Sequence, residues 1–178
     1  MAVNRSAGKQ LLHQTVALIG IIFARKSPER LSYSRRKLII SVFVALFVAY
    51  LAHTRFLNLD TPHALVKLVG ELGVLVIGLN FAWRSGAKRQ RLVRMTMTLF
   101  LISAAGDGVL ILLSFVPLES AVGPARQAVA FATMLAMTAG AMNALQYALS
   151  VSWRMAGAYA LGYVALSLLF YELTQLLL

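Results

Sequence analysis

The stretch Met95–Val116, MTMTLFLISAAGDGVLILLSFV, runs for 22 residues with one charge, Asp107. About 20 apolar residues in a helix rise roughly 30 Å, the thickness of a bilayer's hydrocarbon core. Working outward from it, four more stretches read the same way: Leu38–Ala52, Ala64–Trp83, Ala128–Ser150 and Ala156–Leu177. The whole chain of 178 residues is 60% hydrophobic and 13% charged, where soluble domains average about 45–50% and 25%. That excludes an ordinary soluble domain and predicts an all-α, polytopic membrane bundle of five transmembrane helices. The first stretch has 15 residues, too few to span alone, so its helix should extend back through residues 34–37, with the basic side chains snorkelling to the headgroups. The chain has no cysteine, which removes disulfides, thiolate metal sites and cysteine nucleophiles.

The charge is distributed as unevenly as the hydropathy. Lys and Arg number 17 against six acids, a net charge of +11. A nucleic-acid partner would need these bases gathered in a water-facing domain; here they flank apolar runs. Eight precede the first span, among them Arg35, Arg36 and Lys37, and five lie between the second and third spans: Arg84, Lys88, Arg89, Arg91 and Arg94. With Arg154, 14 fall on one face, whereas Arg55, Arg126 and Lys67 belong to the other. The positive-inside rule then puts the N-terminus in the cytoplasm and the C-terminus outside. Arg35, Arg36, Lys37, Lys88, Arg89 and Arg91 form a basic patch suited to anionic lipid or an acidic partner.

The chain divides at residue 37. Over 1–37, Leu11, Leu12, Val16, Ile19, Ile22 and Phe23 recur at helical spacing, predicting an amphipathic helix of about 16 residues lying on the leaflet. No small-x-small cleavage site precedes Arg25 and Lys26, which argues against a signal peptide. Pro28 stops that helix and opens a basic elbow. Residues 38–178 form the five-helix bundle, with Asp60 as a cap for the second span.

Inside the spans, Ala128, Ala132, Ala136, Gly140, Ala144, Ala148 and Ser152 recur at every fourth position, a groove along one helix face that permits close backbone approach to another helix or to a second copy. Asp107, flanked by Gly106 and Gly108, falls near the midplane; such an acid is a site for a proton or cation, or a carboxyl hydrogen-bonded to Asn143 or Ser103. Lys67 and Glu71 stand one turn apart, and Glu172 belongs at similar depth, so the three are expected to cluster and neutralise one another. Asn80, Asn143 and Gln146 read as interhelical hydrogen-bond partners.

No catalytic constellation appears. His13, His53 and His63 lie outside the predicted hydrocarbon, and the chain holds no HExxH, GxSxG or glycine-rich phosphate loop. His53 and His63 bracket one outer loop, but two ligands do not make a metal site. No cofactor or metal is expected. Tyr33, Tyr50, Trp83, Trp153, Tyr159 and Tyr171 fall mostly at span ends, as an interfacial belt does.

An amphipathic helix, the elbow RKSPERLSYS over 25–34, five spans with short loops, and an aromatic and basic run from Tyr147 to Arg154 follow in that order. This layout resembles the Ypt-interacting-protein-like membrane superfamily, in particular its small bacterial members. The resemblance implies a helix bundle that organises other membrane proteins or shapes the bilayer, without an enzymatic site; it transfers no catalytic residue. The expected function is therefore a non-enzymatic membrane scaffold or accessory subunit, whose partners are lipids and other integral membrane proteins or itself. The alternative is a small transporter or channel using Asp107.

The orientation is checked by single cysteines at positions 85 and 120. In intact cells an impermeant thiol reagent should label position 120 and spare position 85; the reverse pattern excludes the N-inside topology.

Overall fold

A computed structural model describes residues 3–22, 28, 31, 34–84, 88–117 and 122–177. Among these it contains six helices and no strand: α1 (Val3–Ile22), α2 (Arg35–Arg55), α3 (Thr61–Arg84), α4 (Arg89–Ser114), α5 (Gly123–Leu149) and α6 (Trp153–Leu177). Four of them, α2 to α5, are long and apolar enough to cross a membrane. Most of the elbow, including Arg25, Lys26, Arg30 and Tyr33, lies outside the described residues, as do Glu29, Glu119 and the side chains of Lys9 and Tyr171.

Helix ends follow from local chemistry. Ser34 caps α2, its Oγ accepting the Lys37 N–H at 3.1 Å. The helix thus takes in Arg35, Arg36 and Lys37, the extension that a 15-residue apolar run requires. Asp60 caps α3: its Oδ1 accepts the His63 N–H at 3.1 Å and also contacts the His63 imidazole Nδ1. The contacts from His63 hold the Asp60 carboxyl below the usual carboxylate range. Its capping contribution is therefore present above that range and fades as pH falls through the lowered value. Pro124 opens α5, and Ser150 ends it in the left-handed conformation, φ 53°. One boundary differs from the sequence reading. Helix α4 begins at Arg89, so Arg89, Arg91 and Arg94 stand on its first turns and not in a loop.

Packing closes the helices into a ring in the order α2, α4, α5, α6, α3 and back to α2, with α1 against α4 and α5. One end of the bundle gathers the starts of α2, α4 and α6 and the ends of α3 and α5, and is here termed the basic end. There Ala82, Leu92, Met95, Ala144 and Ala148 form a buried cluster, and Arg91 Nη1 donates to Ser150 Oγ at 2.6 Å. At the far end Arg126, 9% exposed, ties three helices together. Its Nη1 donates to the Val116 carbonyl at 2.8 Å, and its guanidinium stacks 5.1 Å from the Phe56 ring centroid. A cation at the carboxyl ends of α2 and α4 offsets the negative ends of both helix dipoles.

The distribution of side chains is the reverse of a soluble domain's. Alanine dominates the buried apolar residues, while Phe43, Phe47, Ile77, Leu112, Phe115, Phe131 and Leu161 are each more than 60% exposed. An apolar surface of this extent suits a membrane protein. The small-residue groove of α5 is used along only half its length. Gly140, Ala144 and Ala148 are buried and Ala136 is half-buried, but Ala128 and Ala132 are exposed. A second stripe, Ser41, Ala45, Ala49 and Ala52, is the buried face of α2, which packs most extensively on α4.

Helix α1 does not stop at the end of the bundle. Ala17 and Ile21 are buried with Leu31, Met97 and Ile102. A Cβ added to Gly140 would lie 3.1 Å from the Ile22 Cα and 2.9 Å from Ile102 Cδ1. Gly140 stands nine residues before the end of α5, about 14 Å along the helix, so the carboxyl end of α1 reaches well inside. A backbone carbonyl buried there is out of reach of water and needs a partner within the protein. Asn143 Nδ2 donates to the Ile21 carbonyl at 3.1 Å.

The glycines predict their own substitutions. Gly140→Ala forces the Ile22 backbone to move and should cost about 1–3 kcal/mol of stability, whereas Gly108→Ala, with nothing within 4 Å of its Cβ, should be close to neutral. Thermal unfolding in detergent compares them; equal transition temperatures exclude a close α1–α5 approach.

Candidate functional site

The far half of the bundle interior brings polar residues together from four helices. The spacing of Lys67 and Glu71 places both on one face of α3, where Lys67 Nζ donates to Glu71 Oε1 at 2.7 Å. The other carboxylate oxygen, Oε2, lies 3.6 Å from His53 Nε2 of α2. His53 is 6% exposed, and its Nδ1 is buried without a well-formed hydrogen bond. The expected triad of Lys67, Glu71 and Glu172 is thus replaced by Lys67, Glu71 and His53. Glu172 is exposed on α6, because the α6 face turned to the cluster carries Tyr163 and Ser167 instead.

Asp107 is 9% exposed and accepts a hydrogen bond from Ser103 Oγ at 3.0 Å, one turn earlier on α4. Asn143, the other expected partner, is engaged with α1. Asp107 lies 18 residues from the start of α4 and seven from its end, about 27 Å and 10 Å respectively. That puts it in the carboxyl-terminal half of α4, toward the far end of the bundle. At this height Asp107 is within electrostatic range of Glu71 and Lys67, and the Tyr163 hydroxyl is within range of Glu71 and Asp107. Ser167 lies beside Tyr163, its Oγ buried without a well-formed hydrogen bond. Helix α4 runs unbroken through Gly106, Asp107 and Gly108.

This group can do limited chemistry. Two carboxylates, an ammonium and an imidazole can exchange protons and hold one another's charge in a low-dielectric interior, with the phenol of Tyr163, 39% exposed, at its edge. Among the described residues no three His, Asp or Glu side chains are placed to hold a metal ion. His53 and His63 do not share a ligand either, since the first meets Glu71 and the second Asp60.

Sequence reading placed His53 outside the hydrocarbon, yet a signal was present. His53 continues the run Ser41, Ala45, Ala49 at four-residue spacing, which sets it on the packing face of α2. Tyr163 and Ser167 share a face of α6 by the same spacing. Asn80 is exposed, and Gln146 lines a cleft with Pro28 at the basic end.

The basic end carries the second set of predicted residues. Arg35, Arg36, Lys37, Lys88 and Arg89 are exposed; Arg91 is half-buried, stacked 5.5 Å from the Tyr147 ring centroid. Lys88, Arg89, Gln90, Arg91, Arg94 and Tyr147 line a cleft of about 270 Å³. No protein-family model matches the chain, and no curated protein or solved structure matches it.

The ion pair at the centre of the polar group makes a test. Lys67→Met leaves Glu71 in the bundle with only His53 opposite and should destabilise by about 1–3 kcal/mol. Lys67→Met combined with Glu71→Leu removes both charges and should recover at least half of the loss. Denaturant titration in micelles reads both; a single variant as stable as the parent shows that the pair contributes nothing.

Proposed function

We propose that this chain is a five-span, non-enzymatic scaffold or accessory subunit that organises partner membrane proteins or the bilayer around it. The basic end faces the cytoplasm in this reading, and the membrane is a bacterial inner membrane. Helix α6, 25 residues long with Leu161, Leu166, Leu168 and Leu169 exposed, is the fifth span. Helix α1 is a half-inserted helix wedged between α4 and α5, in place of one lying flat on the leaflet.

The observation that carries the scaffold reading is the unbroken α4 beside paired polar groups. A coupled transporter characteristically unwinds a helix at its binding site to free backbone groups for the substrate. Here the backbone at Asp107 stays helical, Lys67 and Glu71 neutralise each other, and Ser103 satisfies Asp107. The polar group then specifies which helix faces meet. The resemblance of the sequence layout to Ypt-interacting-protein-like bundles supports such a role.

A transporter or channel is the second reading, favoured by the convergence of His53, Lys67, Glu71 and Asp107 from three helices. Proteoliposomes separate the two. The scaffold reading expects no proton or solute flux above empty vesicles and an Asp107→Asn variant that folds and assembles as the parent does. A pH-dependent flux that Asp107→Asn abolishes overturns it in favour of transport.

A further inference from the structure

We propose that the cleft between the first turns of α4 and the last turn of α5 binds the phosphodiester headgroup of an anionic phospholipid. The inference rests on α2 to α5 crossing a membrane and is independent of the scaffold reading.

The first argument is uncompensated charge. Lys88, Arg89, Arg91 and Arg94 converge on one cleft of about 270 Å³ whose remaining lining residues are Gln90 and Tyr147. Among the described residues no acid lines it and none of the four bases takes part in an ion pair. The acids that the structure describes, Asp60, Glu71, Asp107 and Glu172, belong to the far half. Cations brought together without a counter-charge repel one another, and an anion in the cleft relieves that repulsion.

The second argument is preorganisation. Arg91 is held by its 2.6 Å bond to Ser150 Oγ and by stacking on Tyr147. Two points fix the plane of the guanidinium, and a planar fork held in place suits the oxygens of a phosphate. Beyond Tyr147 a second cleft, of about 410 Å³, continues past Gln146 and Ser150 to Pro28. Its polar walls suit the uncharged hydroxyls of a headgroup.

The third argument is height. Trp83 lies in the last turn of α3 and Trp153 opens α6 at the same end of the bundle, and both rings are exposed, as indoles are at the headgroup level. The cleft lies at that level, and exposed apolar side chains such as Ile39, Ile40 and Met155 begin beside the basic end. A ligand with a phosphate in the cleft and acyl chains along the bundle fits both surfaces. A soluble phosphoryl compound fits only the first.

The full chain in nanodiscs of phosphatidylcholine, supplied with increasing phosphatidylglycerol, tests this by native mass spectrometry of retained lipid. The parent should retain phosphatidylglycerol over phosphatidylcholine. Each base near an anionic lipid contributes roughly fivefold, so Lys88→Gln with Arg89→Gln should weaken retention about thirtyfold. That variant leaves the Arg91–Ser150 bond in place, and its unfolding in phosphatidylcholine alone should match the parent's. Should it fail to fold, Arg89→Gln alone should show the fivefold loss. A charge-matched variant, Arg84→Gln with Arg154→Gln, changes exposed bases at the same end outside the cleft and should lose less than fivefold. Inorganic phosphate at millimolar concentration should not displace the lipid. Retention of both lipids alike, equal losses in the two double variants, or displacement by inorganic phosphate overturns the proposal, the last in favour of a soluble phosphoryl ligand.

Discussion

With lipid outside, apolar burial gives these helices no preference for one another, so the bundle depends on how closely their backbones can approach. The interior reflects this. Alanine lines the buried faces of α2 and the basic half of α5, and Gly140 admits the Ile22 backbone where a larger residue would hold it off. Close approach gains dispersion contacts along whole helix faces, each small and together large. It also draws buried polar groups within reach of one another, and the polar architecture follows from it.

Those polar groups divide by charge along the bundle. Asp107, Glu71, Lys67 and His53 meet in the far half, where each ionisable group has a partner from its own or a facing helix. The bases of the α4 start meet at the other end with no acid beside them among the described residues. A low-dielectric interior enforces pairing, because an isolated charge there is costly. The headgroup region does not, because water and lipid phosphates supply the counter-charge. One chain thus holds a neutralised interior cluster and an open cationic surface, and the same principle accounts for both.

Helix α1 shows the same requirement at the level of the backbone. Its Ile21 carbonyl lies inside the bundle, and Asn143 donates to it. A polar residue of α5 that suits an interhelical bond is therefore committed to the α1 backbone. That leaves Asp107 to Ser103 on its own helix.

Much was legible in the sequence because it depends on local composition. Apolar runs near 20 residues long define spans, Ser34 and Asp60 begin helices whose first N–H groups they accept, and Lys67 and Glu71 pair because i and i+4 share a helix face. The membrane class and the four long apolar helices follow from such rules alone. What tertiary structure decided was which faces meet. Periodicity marks the small-residue run of α5 as a groove, but Ala132 is exposed and Gly140 is buried because α1 and α4 cover only one half of it. His53 and not Glu172 completes the pair on α3, and Asp107 comes within electrostatic range of Glu71, because the rotation and height of each helix are set by its neighbours. Hydropathy specifies that a helix is surrounded by lipid and protein; it carries no information about which side each of them takes.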